Sequence, residues 1–105
     1  MAFLVDIAPA ALRDIEETYL YILEQSGAGA RAAAWYNGLF DALLSLEEMP
    51  TRCSLAPESE DIGVEVRQLL YKRHRILFAV LPGEVVRVFR VWHGARDRLP
   101  VEDLE

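Results

Sequence analysis

Two neighbouring segments with helical periodicity constrain the fold of this chain more than any other feature of its sequence. In the first segment, Pro9 suits the opening turn of a helix, because its missing N–H is not needed there. Apolar residues then recur on one side, acidic residues fall on the other, and the pattern ends near Ser26–Gly27. The pattern predicts an amphipathic helix with an apolar side formed by Leu12, Ile15, Tyr19, Ile22 and Leu23.

The second segment extends from about Gly29 to Glu48 and ends before Pro50. It carries two apolar stripes, so we expect it to pack against the first helix and against a sheet. Together the two segments predict an αα-hairpin. The first stripe contains Trp35, Leu39, Ala42, Leu43 and Leu46, and the second contains Tyr36, Phe40 and Leu44.

A glycine pattern lies between the two helical segments. Gly27, Gly29 and Ala32 match a loose G-x-G-x-x-A spacing. A dinucleotide-binding fingerprint follows a strand and opens a helix, whereas this pattern follows a helix. We therefore interpret it as a helix–helix turn.

The other segments are typical of β-strands. A short β-prone run over residues 2–8 precedes the first helix, and a hairpin turn is predicted at Pro82–Gly83. Residues 49–63 show no periodicity and are expected to form a long loop. The order β-αα-βββ predicts a single α+β domain over residues 1–105, with a helical hairpin on a small, mostly antiparallel sheet. The last three strands are expected at about Val64–Tyr71, Arg75–Leu81 and Val85–Trp92.

Composition excludes several classes of protein. The 105 residues suit one domain, and the formal net charge of −6 argues against a globally basic nucleic-acid-binding protein. No apolar run approaches the roughly 20 residues of a membrane span, and the first residues do not resemble a signal peptide. A single cysteine, Cys53, cannot form an internal disulfide. We expect a cytoplasmic protein without a membrane partner.

The charge is distributed unevenly along the chain. Residues 1–63 hold 3 basic and 11 acidic side chains, whereas residues 64–98 hold 8 basic and 3 acidic ones. We call these eight residues the basic island, and they suit a site for a phosphate or an acidic partner. The alternative is that they pair with acidic residues of the helices. The basic island consists of Arg67, Lys72, Arg73, Arg75, Arg87, Arg90, Arg96 and Arg98.

Residues at the end of the last strand are further candidates for chemistry. His93 and Arg96 are suited to act as an acid/base and an oxyanion clamp, or alternatively to cap the sheet edge and to pair with Asp97. Trp92 lies beside them and can stack on a base or on a partner's side chain. Cys53 with the histidines gives only weak support for a nucleophile, and no zinc-ligand spacing is present.

Three stretches of this sequence resemble the RelE/ParE toxin superfamily, the toxins of bacterial type II toxin–antitoxin modules, often labelled plasmid-stabilisation proteins. They are residues 66–71, residues 74–80 with the R-I-L-F sequence, and residues 86–97, which close with H-G-A-R. The helical hairpin and the loop ahead of the strands fit the same pattern. The resemblance covers nearly the whole chain and implies the α+β fold that the periodicity predicts.

The resemblance leaves two activities to choose between, so the sequence does not decide whether the chain is an enzyme. In the RelE branch, a ribosome-dependent mRNA interferase, Arg75 and Arg96 match the arginines that act on the scissile phosphate. The lysines of strand two fall near Val66 and Gln68, and the C-terminal tyrosine falls near Glu102, so these matches are missing here. The ParE branch inhibits DNA gyrase without that nuclease set. The resemblance therefore favours a ParE-like gyrase inhibitor.

Both branches imply an antitoxin that wraps an acidic segment over the toxin in a hetero-oligomer. We also expect no cofactor and no metal. The residues expected to bind the antitoxin or the target are Arg67, Arg73, Arg75, Arg87, Arg90, Trp92, His93 and Arg96. We expect Arg75, Arg90 and Arg96 to lie under the antitoxin. A further alternative is an inactive member of the family that acts only as a binding module with its antitoxin.

Overall fold

The computed structural model describes residues 2–94. Within this range the helices and strands follow the predicted order, with one additional short helix. Two 3₁₀ turns, Ser45–Glu47 and Pro50–Arg52, follow the second helix. The elements are β1 (Leu4–Ile7), α1 (Pro9–Ser26), α2 (Gly29–Leu44), α3 (Glu58–Ile62), β2 (Arg67–Tyr71), β3 (His74–Leu81) and β4 (Val85–His93).

The four strands form one sheet in the order β1-β4-β3-β2. β1 runs parallel to β4, and the two remaining pairs are antiparallel. The α+β class with a mostly antiparallel sheet is thus confirmed. The β3–β4 ladder is irregular, since Leu77 pairs with Arg90 and Phe78 with Val88, which leaves Phe89 as the extra residue of a β-bulge.

The αα-hairpin forms as predicted, and its connection is very short. α1 begins at Pro9 and ends at Ser26, and the next residue, Gly27, adopts a left-handed φ of 63°. The N–H of Gly27 donates to the carbonyl of Leu23 and closes the last turn. α2 starts two residues later, so the glycine pattern is a helix–helix turn, as the sequence indicates.

The main core lies between the hairpin and one face of the sheet. α1 contributes Ala11 and Ile15, and the sheet contributes Phe78, the largest fully buried side chain. The first predicted stripe of α2 is buried here at Trp35, Leu39, Leu43 and Leu46. Burial of each large apolar side chain contributes about 1.5–3 kcal/mol of hydrophobic free energy.

The second stripe of α2 is only partly buried, with Phe40 packed against the main core. The rings of Tyr36 and of Tyr19 on α1 pack edge to face, with their centroids 5.8 Å apart. Tyr36 nevertheless remains exposed, and so does Leu44. α2 also ends at Leu44 rather than Glu48, and the chain continues in a tighter 3₁₀ turn.

Residues 49–63 are more ordered than the predicted loop. Ser59 Oγ both donates to the carbonyl of Val66 and accepts from its N–H, at 2.8 Å each. The N–H of Gln68 donates to the carbonyl of Ser54, so the segment pairs with the outer edge of β2. These hydrogen bonds hold α3 on the second face of the sheet, where a smaller core contains Ala56, Val66 and Leu77.

A close approach of β2 to α2 occurs at Gly38. The hydroxyl of Tyr71 donates to the carbonyl of Trp35 at 3.0 Å, and a Cβ at position 38 would collide with this hydroxyl. We therefore expect Gly38→Ala to destabilise the protein, although alanine is the better helix former by about 1 kcal/mol. In a Tyr71→Phe background, which lacks this hydroxyl, Gly38→Ala should lower the free energy of unfolding by a smaller amount.

Urea unfolding of the four proteins of this double-mutant cycle measures the coupling between the two positions. Equal effects of Gly38→Ala in both backgrounds would contradict the proposed contact.

Candidate functional site

Arg75 of the basic island is held by a buried carboxylate. Its guanidinium donates to both oxygens of Glu58, at 2.6 and 2.9 Å, and its Nε donates to the amide oxygen of Gln68 at 2.9 Å. The Glu58 side chain is 0% exposed, and that of Arg75 is 13% exposed. This bidentate pair joins α3 to the sheet, so the charge of Arg75 is neutralised inside the protein.

Arg90 is paired with the helical hairpin. Its Nε and Nη2 donate to the carboxylate of Asp14 on α1, at 2.7 and 2.8 Å. The same carboxylate accepts the backbone N–H of Val91 at 3.0 Å, beside the β-bulge. The guanidinium of Arg90 also lies 5.1 Å from the ring centroid of Trp92, which packs against the smaller core.

Arg67 and Arg87 are engaged near the surface. Arg67 donates to the carbonyl of Cys53 at 2.6 Å and forms a 3.4 Å ion pair with Glu65. Arg87 pairs with Asp6 of the neighbouring strand at 2.7 Å, with both side chains 45% exposed. Pairing with acidic residues of the helices, the alternative to a phosphate site, therefore occurs at Arg75 and Arg90. Arg67 and Arg87 pair with carboxylates that lie outside the helices.

Two residues of the basic island occupy the β2–β3 turn. Lys72 adopts a left-handed φ of 52°, and its ammonium lies 5.8 Å from the centroid of the Tyr71 ring. Arg73 is exposed, and its guanidinium forms no ion pair within residues 2–94. Arg96, which is expected to bind the antitoxin or the target, lies outside the described residues.

A cavity of about 750 Å³ opens beside this turn. One wall is formed by α1, with Asp14, Glu17, Thr18, Tyr21 and Ile22. The opposite wall is formed by the turn and by the ends of β3 and β4, and Trp35 of α2 also lines the cavity. The lining of this second wall includes Lys72, Arg73, His74, Val91 and His93.

The two histidines of the chain meet in this cavity. Their ring centroids are 5.1 Å apart, and His74 also contacts Trp35 at 5.6 Å. The Nδ1 atom of His74 is buried and has no hydrogen-bond partner among the residues that the structure describes. Burial lowers the pKa of His74, the nearby His93 lowers it further, and Asp14 acts in the opposite direction.

Cys53 does not fit the role of a nucleophile. It is buried in the main core, and burial raises the pKa of its thiol despite the nearby Arg52 and Arg67. A raised pKa disfavours the reactive thiolate. Among residues 2–94, no three His, Cys, Asp or Glu side chains are grouped as metal ligands.

Sequence reasoning missed two residues that organise this region. Glu58 lies in the stretch predicted to be an irregular loop, and Asp14 belongs to the polar side of α1. No periodicity marks either residue as a partner of an arginine. The adjacency of His74 and His93 also depends on the register of β3 and β4, which pairs these two residues.

The fold and the sequence together identify the family. A sequence profile described as the ParE toxin of the type II toxin–antitoxin system, parDE, matches residues 5–98. This chain belongs to the ParE toxin family. The match confirms the predicted place in the RelE/ParE superfamily, so the chain is the toxin of a type II module and has an antitoxin as its partner.

Individual relatives of the toxin agree with this assignment. It is 35% identical over 101 residues to the protein named Toxin RelE1 from Caulobacter vibrioides. The aligned region covers 93% of this chain and 100% of the relative. The relative's name comes from the other branch of the superfamily, so it does not separate gyrase inhibition from mRNA cleavage.

Two solved structures share the fold of the toxin. The chromosomal ParDE system of P. aeruginosa superposes with a TM-score of 0.71 and 16% identity, covering 88% of this chain and 96% of the other. A mutant of the E. coli RelE toxin in the free state gives a TM-score of 0.60 and 17% identity, covering 90% and 86%. At these identities the superpositions support the fold alone. The described part of the toxin contains no helix long and apolar enough to cross a membrane.

The buried pair of Glu58 and Arg75 should be far more sensitive to mutation than the surface pair of Asp6 and Arg87. We expect Glu58→Ala to lower the free energy of unfolding by about 3–5 kcal/mol, because it leaves Arg75 uncompensated in the interior. We expect Asp6→Ala to cost less than about 1 kcal/mol. Urea denaturation of both variants measures the difference, and similar losses would contradict a buried ion pair.

Acidification should destabilise the toxin through His74. Its pKa in the folded state lies below the ordinary value of 6.5, so the unfolded chain binds more protons between those two pKa values. The stability is therefore complete above about pH 6.5 and is lost as the pH falls through the folded pKa. Thermal unfolding of wild type and His74→Gln from about pH 8 to pH 5 measures this effect. The variant should lose less stability on acidification, and parallel profiles would contradict the assignment.

Proposed function

We propose that this toxin inhibits DNA gyrase in the manner of the ParE branch and is neutralised when its antitoxin covers the toxin's sheet and hairpin. The observation that carries the proposal is the buried pair of Glu58 and Arg75. Arg75 matches the arginine that acts on RNA in the nuclease branch. In this chain Arg75 instead forms an ion pair with Glu58.

Displacing Glu58 from Arg75 is energetically expensive. A phosphate that took its place would remove the Arg75 guanidinium from a carboxylate that is 0% exposed. Breaking a buried ion pair in this way costs about 3–5 kcal/mol. The pair therefore opposes the use of Arg75 as a phosphate ligand.

Other features of the chain also favour a gyrase inhibitor over an mRNA-cleaving nuclease. The strand-two positions that carry lysines in the nuclease branch fall near Val66, which is buried, and Gln68, whose amide oxygen accepts from Arg75. The chain also has a formal net charge of −6, which weakens binding to ribosomal RNA because such binding depends on phosphate contacts. The ParE description of the profile that spans residues 5–98 adds further support.

Most residues proposed to contact the antitoxin are already engaged within the toxin. Arg73 and Arg87 are the exposed members of the set within the described residues, so they are the more accessible contacts for an acidic segment. Arg75 and Arg90 would contribute mainly by holding the sheet surface in shape.

The decisive measurement compares DNA synthesis with protein synthesis after the toxin alone is induced in a bacterial host. We expect labelled thymidine incorporation to fall before labelled methionine incorporation. The purified toxin should also trap gyrase on supercoiled plasmid, so that linear DNA appears after denaturation of the enzyme. Early loss of methionine incorporation with ribosome-dependent mRNA cleavage would favour the nuclease, and no effect on either would favour an inactive binding module.

A double variant separates the two activities through Arg75. Replacing a buried ion pair by apolar residues of similar volume usually preserves the fold, so Glu58→Met with Arg75→Met should remain folded. We expect it to retain gyrase trapping, whereas a nuclease that uses Arg75 would lose its activity. Circular dichroism and urea unfolding verify that the variant is folded before either assay is interpreted.

A further inference from the structure

A cavity of about 750 Å³ lies beside the Lys72–Arg73 turn. We propose that it anchors an acidic side chain of the antitoxin together with the apolar residue next to it. This inference rests on the toxin–antitoxin class of the chain and does not depend on gyrase as the target.

The charges around the cavity favour an anionic group on one wall. Asp14 is neutralised by Arg90, which leaves Glu17 as the other carboxylate of the lining. Lys72 and Arg73 lie on the opposite wall, and neither pairs with a carboxylate in the described part of the chain. An incoming carboxylate therefore meets two cations on the turn side of the cavity.

The imidazole of His74 offers a directional contact to the same group. Its buried Nδ1 lacks a hydrogen-bond partner among residues 2–94, and a buried polar atom without a partner destabilises a folded protein. The χ2 torsion of a histidine is broad, so the ring can turn this nitrogen toward an acceptor that enters the cavity. A carboxylate oxygen supplies such an acceptor when Nδ1 carries a proton.

The remaining lining favours a peptide over a nucleic acid. Ile22, Val91 and Trp35 present apolar surface that can bury an aliphatic side chain adjacent to the acid. Glu17 and the overall charge of −6 repel a chain that carries one negative charge at every nucleotide. An acidic and apolar segment of a protein matches both halves of the cavity.

The test uses the full-length toxin labelled for NMR and two capped dipeptides. N-acetyl-leucyl-glutamate amide carries the acid and the apolar side chain, and N-acetyl-leucyl-glutamine amide is its matched neutral control. We expect the first to shift the imidazole signals of His74 and His93 and the indole signal of Trp35, with a dissociation constant in the millimolar range. The neutral peptide should bind about tenfold more weakly.

Matched variants locate the binding. Arg73→Glu should abolish the shifts, whereas Arg13→Glu, which makes the same charge change on the exposed side of α1, should not. The amide spectrum of each variant verifies its fold. The proposal is overturned if the two peptides bind equally well, if neither shifts these signals, or if a single-stranded oligonucleotide binds the same residues more tightly. None of these measurements involves gyrase, so failure of this proposal would not contradict gyrase inhibition, which the assays described above test separately.

Discussion

The carboxylate of Asp14 determines how the helical hairpin sits on the sheet. It receives two hydrogen bonds from Arg90 and a third from the backbone of Val91, so one side chain of α1 is fixed to the irregular part of β4. The β-bulge at Phe89, where an extra residue interrupts the regular pairing with β3, lies next to these contacts. The position of α1 over β4 in turn fixes one wall of the cavity and closes the main core.

The basic island illustrates why a charge pattern in a sequence is ambiguous. The excess of arginine over residues 64–98 suggests a surface for anions. In the fold, carboxylates from β1, α1 and α3 meet Arg87, Arg90 and Arg75, respectively. A large part of the positive charge therefore holds separate elements together. Within residues 2–94, Lys72 and Arg73 of the β2–β3 turn remain available to a partner at the cavity.

The pairing of Arg75 with Glu58 bears on whether the toxin could cleave RNA. A toxin that cleaves RNA needs cations that can reach a phosphate, and burial of Arg75 against Glu58 removes one of them from solvent. α3 and the segment before it also cover the second face of the sheet, where Val66 and Leu77 are fully buried. In this chain that face serves as a second core.

The sequence alone determined the order of elements, the class of fold and the family, because these depend on local periodicity and on short motifs. The stripe from Trp35 to Leu46, the start of α1 at Pro9 and the turn at Gly27 all lie where the pattern predicts them. Only the tertiary structure decided which side chains pair, since contacts such as Asp14 with Arg90 join residues more than seventy positions apart. Periodicity carries no information about the register that brings such residues together. The partners of the arginines, the order within residues 49–63 and the cavity at His74 and His93 therefore emerge only when the hairpin packs on the sheet.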